Sequence, residues 1–269
     1  MKPSGIITLT TDFGLSDPYV AMMKGVILSI NPSARLVDIS HHMPAGSVLD
    51  TALLIREASP FFPKGTVHVA VVDPGVGSDR RPIGIETESY IFVGPDNGVL
   101  WPVTQQEPKG KVVHLTEKAY FLRHLTRTFH GREIFAPVAA HLSLGIDLLK
   151  MGPLITNPVP LDVPEPFEKE DCLYGHIIRV DHFGNLITNI HAKALADFLK
   201  SAQPRIQVGD LTLERLTETY AHAQKGEPLA LINSASLLEV AVNMGRASEA
   251  LGVGVQDIIG MLVKVSRSS

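Results

Sequence analysis

The chain has 269 residues, 45% hydrophobic and 19% charged, with a formal net charge of −4, enough for one large or two modest domains with a proper core. The slight acidity argues against a nucleic-acid partner, because phosphate binding needs a concentrated basic face. The single cysteine, Cys172, excludes an intrachain disulfide and fits a reducing compartment. The start, "MKPSGIITLTTDFG", lacks the apolar core of a signal peptide, and no stretch reaches the roughly 20 apolar residues of a membrane span. A cytoplasmic protein with no membrane partner is expected.

In chain order, "IITLT" at 6–10 reads as a buried strand. "PYVAMMKGVILSI" follows with a helical period, Asp17 suiting its N-cap and Pro18 its first position. "RLVDI" is a second strand, "SVLDTALLIREAS" a second helix stopped at Pro60, and "TVHVAVVD" a third strand. This alternation is the signature of an α/β domain whose mostly parallel sheet is flanked by helices. "PIGIET" and "YIFVGPDNG" read as an antiparallel addition, "KVVHL" as a further strand, and "EIFAPVAAHLSLG" as a helix closing at Gly145. The proline-rich stretch 157–170 is read as a linker between an N-terminal α/β domain, 1–156, and a C-terminal domain, 171–269. Beyond it, "YGHIIRVD", "NLITNI", "RIQVG", "PLALIN", "LLEVAV" and "MLVKVS" are short strands separated by turn residues, with helical pieces in "AKALADFL" and "RASEALG". The C-terminal domain is thus expected to be all-β and barrel-like.

Four polar clusters punctuate this framework. In "TTDFGLSD", Asp12 lies just beyond the first strand, where ligands bind in open α/β sheets, and its carboxylate suits a ribose diol. Neither GxGxxG nor a P-loop is present. In "VVDPGVGSDRRP", Asp73 also ends a strand, and Gly75 and Gly77 permit positive φ or close approach. A plain turn with Asp73 bonded to local amides is the competing reading, and Arg80 and Arg81 taken singly are ordinary surface. In "TFHGREIFAP", His130 precedes a helix and suits an acid, a base or an orienting group; a structural histidine is equally consistent. Glu133 there is explained by the helix dipole. In "VDHFGNLITNI", Asp181, Phe183 and Asn185 surround Gly184. A hairpin explains the glycine and asparagine, whereas the phenyl ring beside an amide suits purine stacking. Ser234 follows in "LINSASLLEVAVNMG". No HExxH, CxxC or i,i+4 histidine pair points to a metal, and no GxSxG to a nucleophilic serine.

Taken together, "TDFGLSDPYVAMMKG", "VVDPGVGSDRR", "GPDNG", "TFHGREIFAP", "VDHFGNLITN" and "NSASLLEVAVNMG" occur in this order across nearly the whole chain. The set resembles the S-adenosyl-L-methionine hydrolases that form adenosine and methionine, relatives of the fluorinase and chlorinase. The resemblance implies an α/β domain followed by a β-barrel, and a metal-independent SN2-type attack of water or hydroxide on the ribose C5′. It implies Asp73, Arg80 and His130 near the reacting water, Asp12 on the ribose hydroxyls, and Asp181 and Ser234 on the methionine portion. Phe183 and Asn185 fall at adenine contacts, and Glu239 and Met244 among the substrate-binding residues. S-adenosylmethionine is the substrate, adenosine a product, and no cofactor is implied. The family forms trimers with sites between subunits, so a homotrimer is expected.

The chain departs from the fluorinase in ways that favour hydrolysis. Asp73 and Val76 stand where the fluorinase has Tyr and Thr, His130-Gly131 replaces its Tyr-Ser, and its long insertion is missing. Ala235 replaces the arginine that lies near the substrate carboxylate. A halide-dependent adenosyl transferase and a non-catalytic binding module are the alternatives.

Overall fold

A computed structural model of the chain describes residues 1–107 and 109–268, with the backbone alone for 255 and 256. The chain divides into two compact units, Met1–Asp162 and Val163–Ser269.

The first unit is built on seven strands: β1 (Ile6–Thr11), β2 (Arg35–Ser40), β3 (Val67–Val71), β4 (Pro82–Glu86), β5 (Ile91–Pro95), β6 (Lys111–His114) and β7 (Leu154–Ile155). Their order is β2-β1-β3-β5-β4-β6-β7. The first four in that order are parallel, and β4, β6 and β7 extend the sheet antiparallel. Alternation along a strand sends successive side chains to opposite faces. Val69 and Val71 accordingly join the core beneath α1 (Tyr19–Ile30) and α4 (Ala136–Ser143), while Ala70 joins the one beneath α2 (Val48–Ala58) and α3 (Trp101–Gln106). Central parallel strands covered on both faces read as unbroken apolar runs, and all five residues of β3 are buried.

The second unit is an antiparallel sheet of β8 (Phe167–Lys169), β9 (Cys172–Val180), β10 (Leu186–His191), β11 (Pro204–Val208), β12 (Leu211–Leu213), β13 (Pro228–Ile232), β14 (Leu237–Val242) and β15 (Leu262–Arg267). The order is β12-β11-β15-β9-β10-β14-β13, with β8 beside β9. Just past β12, Leu216 bridges to Ala230 of β13, and Thr217 N–H donates to the Ala230 carbonyl at 2.8 Å. The two ends of the sheet therefore meet, giving a nearly closed barrel. The amphipathic α5 (Ala192–Leu199) covers it with Leu195, Phe198 and Leu199, and α6 (Ala247–Ala250) is a single turn.

The structure departs from the sequence reading in local detail. Asp17 is exposed and makes no capping bond; α1 starts at Tyr19, with Pro18 in the cap position. β8 lies inside the stretch read as a linker, and α3 and β12 were not expected. The helix read from Glu133 opens as a π-turn over Gly131–Phe135 before becoming α4. Among the described residues, no helix is long and apolar enough to cross a membrane.

His68 of β3 lies wholly inside this framework. Its ring stacks on Phe92 at 5.0 Å and meets Phe62 and Tyr90 edge-on at 5.4 and 5.2 Å. Nδ1 is 2.8 Å from the Thr8 hydroxyl, while the buried Nε2 has no partner among the described residues. Burial pushes the imidazole down from 6.5 to about 3. The unfolded chain therefore binds a proton near pH 6.5 that the folded chain refuses until about pH 3, so stability falls as pH drops through that window. The slope is at most about 1.4 kcal/mol per pH unit. In thermal melts between pH 7 and 4.5, His68→Gln is expected to show a flatter decline of Tm than the unaltered protein; parallel declines would show that His68 does not set the acid limit.

Candidate active site

Thr10 and Thr11 of β1 pair with Ala70 and Val71 of β3, so these parallel strands end side by side. Asp12 and Asp73 leave the sheet at this common carboxyl edge, and α4 packs across β1, β3 and β5 behind it. His130 sits one residue before the π-turn that leads into α4. The topology thus brings two carboxylates and an imidazole to one edge from stretches far apart in sequence.

Asp73 and Arg80 face each other across the 73–80 turn. Arg80 Nε donates to Asp73 Oδ1 at 2.9 Å and Nη2 donates to Oδ2, a bidentate pair whose side chains are only 8% and 5% exposed. The same Nη2 lies 2.7 Å from His130 Nδ1. A guanidinium can only donate, so Nδ1 is the acceptor and the neutral ring carries its proton on Nε2. Arg80 Nη1 is buried with no hydrogen-bond partner among the described residues, and the Arg80 cation lies 5.3 Å from the centre of the Phe135 ring. Burial and then the Arg80 charge depress the His130 pKa, against the opposing pull of Asp73 and a hydrogen bond with the Thr126 backbone.

The turn that carries Asp73 and Arg80 is clamped at both flanks by the "GPDNG" segment. Asn97 Nδ2 donates to the Val72 carbonyl at 2.8 Å, and Asp96 N–H donates to the Arg81 carbonyl at 2.8 Å. Gly77 has φ +78°, and a Cβ there would stand 2.3 Å from the Arg127 carbonyl oxygen. Only glycine lets the turn approach the segment before His130 this closely. Gly75 is less constrained, since its Cβ would meet Ser78 and Arg80 at 3.4 and 3.5 Å. Arg81 does separate work: Nε donates to Asp96 at 2.7 Å, and the two Nη groups reach the side chain and carbonyl of Asn157 at 3.0 and 2.6 Å. Asp12, half-buried, accepts from the Gly46 N–H at 2.9 Å, its one hydrogen bond among the described residues.

In the second unit, Asp181 and Asn185 hold one another. Asp181 accepts from the Asn185 N–H at 2.8 Å and from its amide at 3.0 Å, closing the turn over Gly184. Gly184 has φ +84°, and a Cβ there would lie 2.7 Å from that of Arg246. Phe183 at the tip of this turn is 69% exposed. Met244 is 80% exposed with φ +55°, a backbone region costly for a non-glycine residue and common at ligand clamps. Glu239 is buried and accepts from the Tyr220 hydroxyl at 2.7 Å. Burial first, then nearby Asp181, raises its carboxyl pKa against the hydrogen bonds from Tyr220 and Asn233. Ser234 is exposed in the turn beside Asn233, whose side chain accepts from Ala235 and Leu237 N–H at 3.0 and 3.1 Å.

Several contributors were not singled out in the sequence. Tyr220 opens a short 3-10 turn outside the motifs, and Asn97, Asn233 and Arg81, although inside them, look like turn and surface residues until their partners are seen. Among the described residues no three His, Cys, Asp or Glu side chains are gathered as a metal-binding group.

Comparison with known proteins places the chain. Residues 7–152 match the N-terminal domain, and 175–260 the C-terminal domain, of SAM (S-adenosyl-L-methionine) hydroxide adenosyltransferase. The chain is 38% identical over 264 residues to the (R)-S-adenosyl-L-methionine hydrolase of Salinispora tropica, covering 94% of this chain and 96% of that one. A fluorinase of Actinoplanes sp. is more distant, 30% identical over 270 residues, covering 88% and 91%. The crystal structure of a conserved protein from Thermotoga maritima superposes with a TM-score of 0.89 at 34% identity, covering 97% of this chain and all of that one. The chain belongs to the SAM hydroxide adenosyltransferase family.

Proposed function

We propose that the protein hydrolyses S-adenosyl-L-methionine to adenosine and L-methionine. The observation that carries this reading is the buried Arg80 fork, held by Asp73 and His130, with Nη1 left over among the described residues. In the reaction, the oxygen of water bonds to the ribose C5′ as the C5′–S bond breaks. The electron pair of that bond goes to sulfur, so methionine leaves uncharged and one water proton is released. No acid is needed at the leaving group. The demand is for a positioned, partly deprotonated water screened from bulk solvent.

Each residue then has a distinct task. Arg80 offers Nη1 to the attacking oxygen and stabilises negative charge on it. Asp73, although bonded to Arg80 through both oxygens, keeps acceptor capacity on each; it takes the water's hydrogen bond and its proton. His130 does not serve as the free base, because its Nδ1 lone pair is committed to Arg80; it holds the guanidinium plane instead. Asp12 takes the ribose hydroxyls. Asp181 and Ser234 take the methionine portion, Phe183 and Asn185 the adenine, with Glu239 and Met244 completing the substrate contacts. The exposed Phe183 ring supports the stacking role. The alternative of halide transfer is disfavoured by the carboxylate at Asp73, which would repel a halide beside Arg80.

Purified protein with S-adenosylmethionine, a chelator and no added metal is expected to release adenosine and methionine in equal amounts over many turnovers; tight binding without product would make it a binding module instead. Asp73→Ala and His130→Ala are expected to lower kcat by about 100-fold or more with substrate binding largely kept. Asp12→Ala is expected to weaken binding; equal activity in all three variants would remove the site assignment. We also read the protein as a homotrimer, in keeping with the exposed apolar side chains of Tyr19, Met22 and Leu28 on α1. Light scattering on the eluting peak should give three times the 29.1 kDa chain mass; a monomer would refute this.

A further inference from the structure

Glu133 is wholly buried, yet the reaction proposed above leaves it without a task. Its polar groups serve one segment. The carboxylate accepts from Thr126 N–H at 2.6 Å and from the Thr126 hydroxyl at 3.0 Å. The Glu133 carbonyl accepts from Leu122 N–H at 2.9 Å, and its N–H donates to the Phe129 carbonyl at 3.2 Å. Arg132 donates to the same carboxylate while lying 4.9 Å over the Phe129 ring. Residues 122–129 contain neither helix nor strand, and 123–128 are exposed, so bonds to Glu133 supply the order that a ladder would supply elsewhere.

That segment meets the Asp73–Arg80–His130 set at two points. The Thr126 backbone acts on the His130 ring, favouring its protonated form against burial and Arg80, and the Arg127 carbonyl abuts Gly77 of the turn that carries Arg80. The π-turn contributes to the same end. Its i→i−5 bond from Ala136 N–H to the Gly131 carbonyl inserts an extra residue at the start of the helix, a device that recurs at functional sites. A helix-dipole role accounts for a carboxylate in a first turn, but for neither its burial nor its aim at Thr126.

We propose that Glu133 is a positioning residue of the hydrolytic site: through Thr126 it fixes the His130 ring in the orientation in which Nδ1 accepts from Arg80. This rests on the assignment of His130 and Arg80 made above. Glu133→Gln preserves volume but leaves one acceptor oxygen where two are used, so the side chain cannot accept from both Thr126 and Arg132 through separate atoms.

The test joins steady-state kinetics on S-adenosylmethionine with nitrogen-15 NMR of the His130 ring in the free protein, assigned by comparison with His130→Asn. For Glu133→Gln the expectation is kcat lowered about 10- to 100-fold with KM within about threefold. The His130 ring nitrogens should move from a single Nε2–H tautomer toward a mixture. Unchanged kcat, or lowered kcat with an unaltered ring spectrum, overturns the proposal. If Glu133→Gln does not fold, Thr126→Val removes the hydroxyl donor alone, and the same two readouts, in the same direction, decide. The ring spectrum needs no turnover. A protein that fails to hydrolyse S-adenosylmethionine would refute the proposed reaction, while the spectrum would still decide the role of Glu133.

Discussion

The site depends on one planar cation and how it is held. Arg80 places two parallel bonds on Asp73 and a third contact on His130, so the guanidinium plane is fixed by partners on two separate segments. Such a pair, nearly removed from solvent, is weak evidence for stability, because the cost of desolvating both charges is of the same order as their attraction. Removing one partner is another matter, since it strands an uncompensated charge. An ion pair at this depth, with a further buried donor unpaired among the described residues, imposes geometry more than it adds stability.

The scaffold around Arg80 consists mostly of backbone constraints. Asn97 and Asp96 hold the residues on either side of the turn, and Gly77 permits a contact with Arg127 that any side chain would block. Neighbouring Arg81 is spent on Asp96 and Asn157, which ties the end of the first unit to its sheet. Both arginines precede β4, where the chain is becoming extended and successive side chains diverge. Adjacent residues of one type therefore carry unrelated duties.

This divergence shows how much the sequence could disclose. Unbroken apolar runs, strand alternation and amphipathic helical periods are local signals, and β1 to β6, α1, α2, α4, β9 to β11, α5 and β13 to β15 are visible in them. The set Asp73, Arg80 and His130 was legible as ordered motifs. Its internal geometry was not, because hydrogen-bond partners separated by 50 residues leave no periodic trace. Glu133 is the sharpest case. In a first helical turn an acidic residue already has an ordinary explanation, so nothing local announces that the turn is of π type or that the carboxylate faces inward. Asp17 is the converse: it has the right residue type ahead of a helix, and the structure leaves it in solvent without a capping bond. Phe183 stood out in the sequence as an aromatic residue in a tight glycine turn, and the structure leaves its ring 69% exposed.

Charge explains why the histidine should be held neutral. The proposed substrate carries a sulfonium beside the reacting carbon, and a site dominated by Arg80 alone would repel it. Asp73 cancels that charge at hydrogen-bond distance while leaving the guanidinium plane in place. A protonated His130 would restore the excess positive charge. It would also lose the Nδ1 lone pair that receives Arg80, since both nitrogens of an imidazolium are donors. Burial and the Arg80 field both act against that protonation. The same cation that would stabilise the attacking oxygen thus keeps its neighbour uncharged. The three side chains together sum to about zero, as Arg⁺, Asp⁻ and neutral His, with a local positive edge at Nη1. Such an arrangement favours an oxyanion at one point without repelling a cation a few ångströms away, which a chain hydrolysing a sulfonium at neutral pH requires.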